Sequence, residues 1–300
     1  MPGQILSRRH FLGAACAAPY AFGGARAIAA PVARVVTLDL LPTELLLTLG
    51  ITPLAIANAP LYRRLVATPE LPDAVPDLGP LMEPNVEYLQ VLRPDAILLA
   101  AWQSGALERL AQIAPLVPLQ TIAGTVPASA HAAALLRQVG ALTARSSEAE
   151  LCIARLEQGL AQAREKLAGR PIGPLYVCRF AANGRNVAVF GGNGLVGDVV
   201  RQLGLSNAWK GRVNASGVVS VGIEQLAADP EARIVHFDRG AETLRAMETL
   251  SRSALWRALP AVRAGRVTRM PVVYPSGGVF TAIRFAAQLA EALAAEAPHG

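Results

Sequence analysis

The chain has 300 residues, 52% of them hydrophobic and 17% charged, with 28 Lys and Arg against 22 Asp and Glu. That balance excludes a disordered, collagen-like or disulfide-stapled chain, and the length allows one large or two medium domains with a sizeable core. Only Lys166 and Lys210 are lysines, and no dense basic run argues for nucleic acid.

The first 27 residues hold Arg8, Arg9 and Arg26 and no acid; without them the balance falls to 25 against 22. Ser7-Arg8-Arg9-His10-Phe11-Leu12 precedes a short apolar stretch that ends in Ala25-Arg26-Ala27. Paired arginines, a weakly hydrophobic core and an A-x-A pattern resemble a twin-arginine export signal over residues 1–27. Ala27 and Ala29 are both candidate cleavage points. Cys16 lacks the large residue three positions earlier that lipidation favours, and the apolar run is too short to span a bilayer comfortably. The expected compartment is the bacterial periplasm. Cys152 and Cys178 can form a disulfide there, but their helical and strand-like contexts fit two buried thiols better. Two cysteines are too few for a cysteine metal site.

Residues 35–38 are a short apolar run. Pro42 then opens a helical pattern through Leu49, and Gly50 closes it. A second apolar run covers 53–57. Helix 86–92, strand 96–99, helix 107–113 and strand 117–122 continue the alternation, which predicts a parallel α/β sheet. From 129 to 167 the strand signals vanish. Ser147 and Glu150 read as a capping box. Beyond them Ile153, Leu156, Leu160, Ala163 and Leu167 recur at steps of three and four. That stripe predicts a helix over about 147–168, roughly 33 Å long, a stiff connector between two lobes.

The α/β alternation resumes with strands at 175–180 and 187–190, then helices at 195–203 and 223–228. Strand 233–237, helices around Leu244 and Leu255, and strand 267–270 follow. An amphipathic helix over 282–295 closes the chain, with Arg284, Gln288 and Glu291 on one face. The two halves echo each other. Glu87-Tyr88-Leu89 before Pro94-Asp95-Ala96 matches Glu224-Gln225-Leu226 before Pro230-Glu231-Ala232. Glu44 before Leu49-Gly50-Ile51 matches Asp198 before Leu203-Gly204-Leu205. Two echoes in one order predict two related lobes.

Gly192-Asn193-Gly194-Leu195-Val196-Gly197 fits G-x-G-x-x-G between a strand and a helix, the setting of a dinucleotide site. No acid follows at the ribose position, since 210–222 contains none. A tight strand-to-helix turn is the better reading. His131 and His236 are the only histidines between the leader and His299; no metal-ligand spacing exists around them. Ser104, Ser216 and Ser276 lie in loop-like positions, and none sits in G-x-S-x-G. No catalytic residue and no metal ligand is assigned.

Leu41-Pro42-Thr43-Glu44-Leu45-Leu46-Leu47 with Leu49-Gly50-Ile51 resembles the opening block of periplasmic siderophore-binding proteins. Glu83-Pro84-Asn85, Arg93-Pro94-Asp95, Ile113-Ala114-Pro115, Val189-Phe190-Gly191, Asn207-Ala208-Trp209 and the stretch from Leu255-Trp256 to Arg266 extend the match in family order. The chain resembles the FhuD-type ferric hydroxamate-binding family over nearly all of its mature length. The resemblance implies an α/β fold of two Rossmann-like lobes joined by one long α-helix, with a ligand cleft between the lobes. The lobes are taken as 28–145 and 170–300, and the connecting helix as 146–169. It also implies delivery of a ferric siderophore to the permease subunits of an ABC importer by a monomer without a cofactor of its own. Iron is then present only as part of the ligand.

The family's ligand arginine falls on Leu81 and its tyrosine on Gln103, with Trp102 beside it. Second-lobe aromatic positions fall on Ser216 and Ser276, with Tyr274 keeping an aromatic. Tyr62 neighbours Leu65, where the family has a tryptophan. Asn214 stands close to Ser216, and Arg179 or Arg239 can supply charge from the second lobe. The candidate ligand set is thus Tyr62, Leu81, Trp102, Gln103, Arg179, Asn214, Ser216, Tyr274 and Ser276. Leucine cannot donate the hydrogen bonds of an arginine, so a more apolar ligand face or a different iron-binding group is expected. Glu87 and Glu224 are the candidate permease-docking pair, with Glu108 as the next candidate in the first lobe. A cobalamin or haem carrier on the same fold, and an exported oxidoreductase suggested by the leader and the glycine motif, are the alternatives.

Overall fold

The computed structural model describes residues 31–295, so the export signal and its cleavage points lie outside the described residues. The first lobe is built from β1 (Val35–Thr37), α1 (Leu40–Thr48), β2 (Ala55–Ile56), α2 (Ala59–Leu65), α3 (Val86–Leu92), β3 (Ala96–Ala100), α4 (Ser104–Leu107) and β4 (Leu116–Leu119). Its strands are parallel in the order β2-β1-β3-β4. All five residues of β3 are buried, the continuous apolar run that a parallel strand covered on both faces requires.

The expected helix over 107–113 is broken: α4 ends at Leu107 and a 3₁₀ segment runs Glu108–Gln112. The chain gains α2, which no apolar period marks. Asn58 holds φ 58° and its Oδ1 accepts from Leu61 N, so a left-handed cap starts this short helix.

Next come α5 (Ala128–Leu142) and α6 (Ser146–Leu167). The stripe Ile153, Leu156, Leu160, Ala163 and Leu167 is buried as its period predicts. The capping box is not formed. α6 begins one residue before Ser147, and Glu150 instead takes Arg137 of α5 at 2.6 and 2.9 Å. The corner between the two helices is tight. A Cβ on Gly140 would lie 3.0 Å from both the Ala149 Cβ and the Arg145 carbonyl oxygen.

The second lobe contains β5 (Leu175–Phe180), β6 (Asn186–Phe190), α7 (Leu195–Gln202), β7 (Val218–Gly222), β8 (Arg233–Asp238), α8 (Ala241–Ser251), α9 (Ala254–Ala258), α10 (Pro260–Arg263), β9 (Val267–Pro271) and α11 (Val279–Ala294). Its sheet order is β7-β6-β5-β8-β9. β5, β8 and β9 are parallel, whereas β6 runs antiparallel to both β5 and β7. This lobe is therefore mixed rather than a simple repeat of the first. β7 escapes sequence reading because it is an edge strand without a fully buried residue, and so lacks alternation. The helix expected at 223–228 is a 3₁₀ segment, Ile223–Ala227.

α6 is not a bare strut. One core cluster runs from Leu45 and Leu98 of the first lobe through Leu156 of α6 and Phe285 of α11 to Val177 and Phe237 of the second. Full burial of each such side chain contributes about 1.5–3 kcal/mol. The polar face expected of α11 is turned partly inward: Arg284 is half-buried and reaches the Leu65 carbonyl at 2.9 Å. Cys152 and Cys178 are buried free thiols, and burial pushes both upward in pKa.

Candidate functional site

Ligands of parallel α/β sheets sit beyond the carboxyl ends of the strands. In the first lobe those ends carry Asp39, Asn58 and Trp102. In the second they carry Ala181 and Arg239, with Tyr274 just past β9.

On the first-lobe side, Trp102 is 53% exposed. It sits in the 3₁₀ turn Ala101–Gln103 directly after β3. Gln103, the next residue, is completely buried. Its Oε1 accepts from Ala100 N at 2.8 Å, and its Nε2 donates to the carbonyls of Leu38 and Leu81 at 2.9 Å. Gln103 cannot touch a ligand; it pins the Trp102 turn and the Leu81 loop together. Tyr62 is also a core residue, fully buried with its hydroxyl donating to Pro69 O at 2.8 Å. Both were expected at the ligand, and both are positioned by interior contacts that local sequence does not reveal.

Leu81 is half-buried and packs between two core clusters. One of these also receives Leu65 and Tyr274. Tyr274 therefore leaves its own lobe to lie against the first-lobe residues that flank Leu81. Burial is the main force raising its phenol pKa, with the charges of Asp39 and Glu44 adding to it. It is half-buried rather than sealed.

Ser216 and Ser276 line one small recess of about 30 Å³, together with Leu41, Ile122 and His131. That recess lies between first-lobe and second-lobe segments. Asn214 lines a second, open cavity of about 600 Å³ with Arg179, Arg239 and Glu242. The two recesses meet at one loop, because Asn214 Oδ1 accepts from Ser216 N and Val218 N at 3.0 and 3.1 Å. Arg64 of α2 reaches Glu242 of α8 at 3.4 Å, so the rim of the larger cavity involves both lobes.

The glycine motif is a packing device. A Cβ on Gly194 would come within 2.6 Å of Gly217 Cα, and one on Gly197 within 2.5 Å of the Gly191 carbonyl carbon. Asn193 Nδ2 donates to Thr125 O at 2.6 Å, and Asn193 O accepts from Ala128 N at 3.0 Å. The turn is thus bonded directly to first-lobe backbone at Thr125 and Ala128. His131 gives its Nε2 to the Gln120 carbonyl, and among the described residues no hydrogen bond joins it to Ser216 or Ser276. Among the described residues no group of three or more His, Cys, Asp or Glu side chains could hold a metal ion, and no helix is long and apolar enough to cross a membrane.

A two-lobed α/β frame with its recesses at the strand ends is matched by a family model. The periplasmic binding protein family aligns with residues 35–274.

The chain belongs to that family.

It is 34% identical to the iron(3+)-hydroxamate-binding protein FhuD of Escherichia coli K12 over 295 residues, 98% of each chain. Among solved structures it resembles the FhuD siderophore-binding protein of Vibrio cholerae with bound Fe³⁺–Desferal. The TM-score is 0.80 at 31% identity, covering 88% of this chain and 99% of that one. FeuA of Bacillus subtilis with ferri-bacillibactin shares the fold at a TM-score of 0.66 and 20% identity, covering 88% and 93%.

Within this family frame most resemblance-carrying blocks prove to be folding signals. Asn85 caps α3, its Oδ1 accepting from Tyr88 N at 2.9 Å. Asp95 ties down Ala33 N and Arg34 N ahead of β1. Asn207 bonds Phe190 O and Trp209 N. Trp256 packs edge-on against Phe180, with ring centroids 5.2 Å apart. Arg179, one of the candidate ligand residues, and Arg239, an alternative source of charge, stand together on one cavity wall. Arg179 near the end of β5 and Arg239 directly after β8, two adjacent parallel strands, are the available signal.

Proposed function

We propose that this periplasmic binding protein captures a ferric siderophore and delivers it to the permease subunits of an ABC importer. The observation that carries the reading is the open recess at the strand ends, in a chain 34% identical over its length to an iron(3+)-hydroxamate-binding protein. Binding needs no chemistry from the protein. Iron arrives inside its ligand, and the protein acts as a monomer without a resident cofactor. Residues 1–27 direct export to the periplasm through the twin-arginine route. The lobes are 28–145 and 170–300, on either side of the long helix. Glu87 and Glu224 are exposed, as the two permease-docking contacts must be.

Continuity of the core across the lobes supports capture with small lobe motion rather than wide closure. The test is a fluorescence titration of the purified protein with ferric siderophores, cobalamin and haem. Trp102, exposed at the cleft, supplies the signal. Saturable quenching by a ferric siderophore alone is the expected result. Saturation by cobalamin or haem instead, or a flavin or nicotinamide that co-purifies, would replace the reading.

A further inference from the structure

We propose that the cleft is built for a carboxylate-bearing, net-negative ferric complex whose carboxylate is taken by Arg179, with Arg239 beside it. The proposal rests on the siderophore-binding reading and names the charge class of its ligand.

Arg179 lies on β5 opposite Ala188 of β6, which in turn lies opposite Ser220 of β7. Small neighbours leave room above the strands, and all three residues line the open cavity of about 600 Å³. The Arg179 guanidinium is half-buried, and among the described residues it has no hydrogen bond or ion pair. Arg239 follows β8 on the same wall and pairs with Glu242 at 2.5 Å. Glu242 is already shared, since Arg64 of the first lobe also meets it at 3.4 Å. Three guanidiniums therefore gather around one carboxylate.

Positive charge is in excess there, and Arg179 is the guanidinium left without a carboxylate. Burial lowers the Arg179 pKa most, the like charge of Arg239 lowers it further, and Glu242 opposes both. A partly desolvated guanidinium without a partner is costly. A ligand carboxylate would satisfy its planar fork through two parallel charge-assisted bonds. The residues that line this cavity come from the second lobe, and the first lobe adds Arg64 at Glu242. Arg179 and Arg239 of the second lobe, with Arg64 of the first, make this rim attractive to an anion. A neutral trihydroxamate complex has no group to neutralise it.

Three ferric complexes with the same iron centre isolate the effect. Ferrioxamine B carries a pendant ammonium, its N-acetyl derivative is neutral there, and its N-succinyl derivative carries a carboxylate. The expected order of affinity for the folded protein is succinyl, then acetyl, then ammonium, with about tenfold or more between the extremes at low salt. Arg179→Gln should erase most of that spread, and Arg179→Lys should keep part of it. Equal affinities for the three complexes, or an unchanged spread in Arg179→Gln, overturn the proposal and leave siderophore binding standing. Failure of all three to bind a protein with native circular dichroism overturns both.

Discussion

Glu44 and Asp198 perform the same task from opposite lobes. Glu44 on α1 accepts from Gly278 N, Thr281 N and the Thr281 hydroxyl, each at 2.8 Å, and so caps the start of α11. Asp198 on α7 accepts from Ser129 N and its hydroxyl at 2.9 and 2.5 Å, capping the start of α5. Both carboxylates are completely buried. They occupy matching places in the two echoed blocks, each ahead of a Leu-Gly helix end. Two carboxylates at helix N-termini, aimed in opposite directions, clamp the lobes together.

Removal of either cap should therefore cost more than a surface cap does. Glu44→Ala leaves two buried backbone N–H groups without an acceptor and Asp198→Ala leaves one, and each should lower unfolding free energy by about 2–4 kcal/mol. Urea denaturation monitored by circular dichroism checks this. A loss under about half a kcal/mol would mean that water or a neighbour replaces the cap.

Glu44 also predicts a pH dependence. Burial raises its pKa, against the opposing pull of Gly278, Thr281 and Arg284. The fold then holds a proton that the unfolded chain has released, so this group's contribution to stability falls as pH rises through the window above the ordinary glutamate value of about 4.3. Glu44→Gln should be less stable than the parent yet show a flatter decline across that window. Urea midpoints at pH 4 to 7 for both proteins make the comparison.

Gln103 positions the cleft without touching it. Gln103→Leu abolishes three buried hydrogen bonds and strands two carbonyls and one N–H. Stability should drop by about 2–3 kcal/mol. Ferric siderophore affinity should also weaken, because Trp102 and the Leu81 loop lose their shared anchor. Titration and denaturation of one variant read both effects.

Restoring the family arginine tests how far the pocket has diverged. Leu81→Arg should strengthen binding of a neutral ferric trihydroxamate by about tenfold or more, since the new bonds are charge-assisted and worth about 1.5–3 kcal/mol. Leu81 is half-buried, so the longer side chain can reach the cleft while its stem stays packed. Unchanged binding by a folded variant would mean that the rest of the pocket no longer accepts that ligand.

Docking is read from uptake. The Glu87→Ala and Glu224→Ala double variant should bind its ferric siderophore normally and lose most iron uptake in cells. Charge at such an interface sets orientation and encounter rate. Normal uptake with the double variant removes both residues from the interface.

Sequence alone determined what depends on neighbours a few residues apart. The 3–4 period placed the buried face of α6, apolar runs placed β3 and β5, and Pro42 with Gly50 bracketed α1 to within two residues. The family blocks were legible for the same reason, being largely caps and turns whose partners are close in the chain or at strand starts. Tertiary structure decided the rest. The echo of Glu44 and Asp198 was visible as a repeat, but their bonds to residues 237 and 69 positions away were not. Tyr62 and Gln103 look like cleft residues in sequence and are core residues in space. Arg179 and Arg239 look incidental and share one cavity wall. Burial and charge environment belong to surfaces assembled from distant segments, and no periodicity within one segment encodes which surface a side chain will meet.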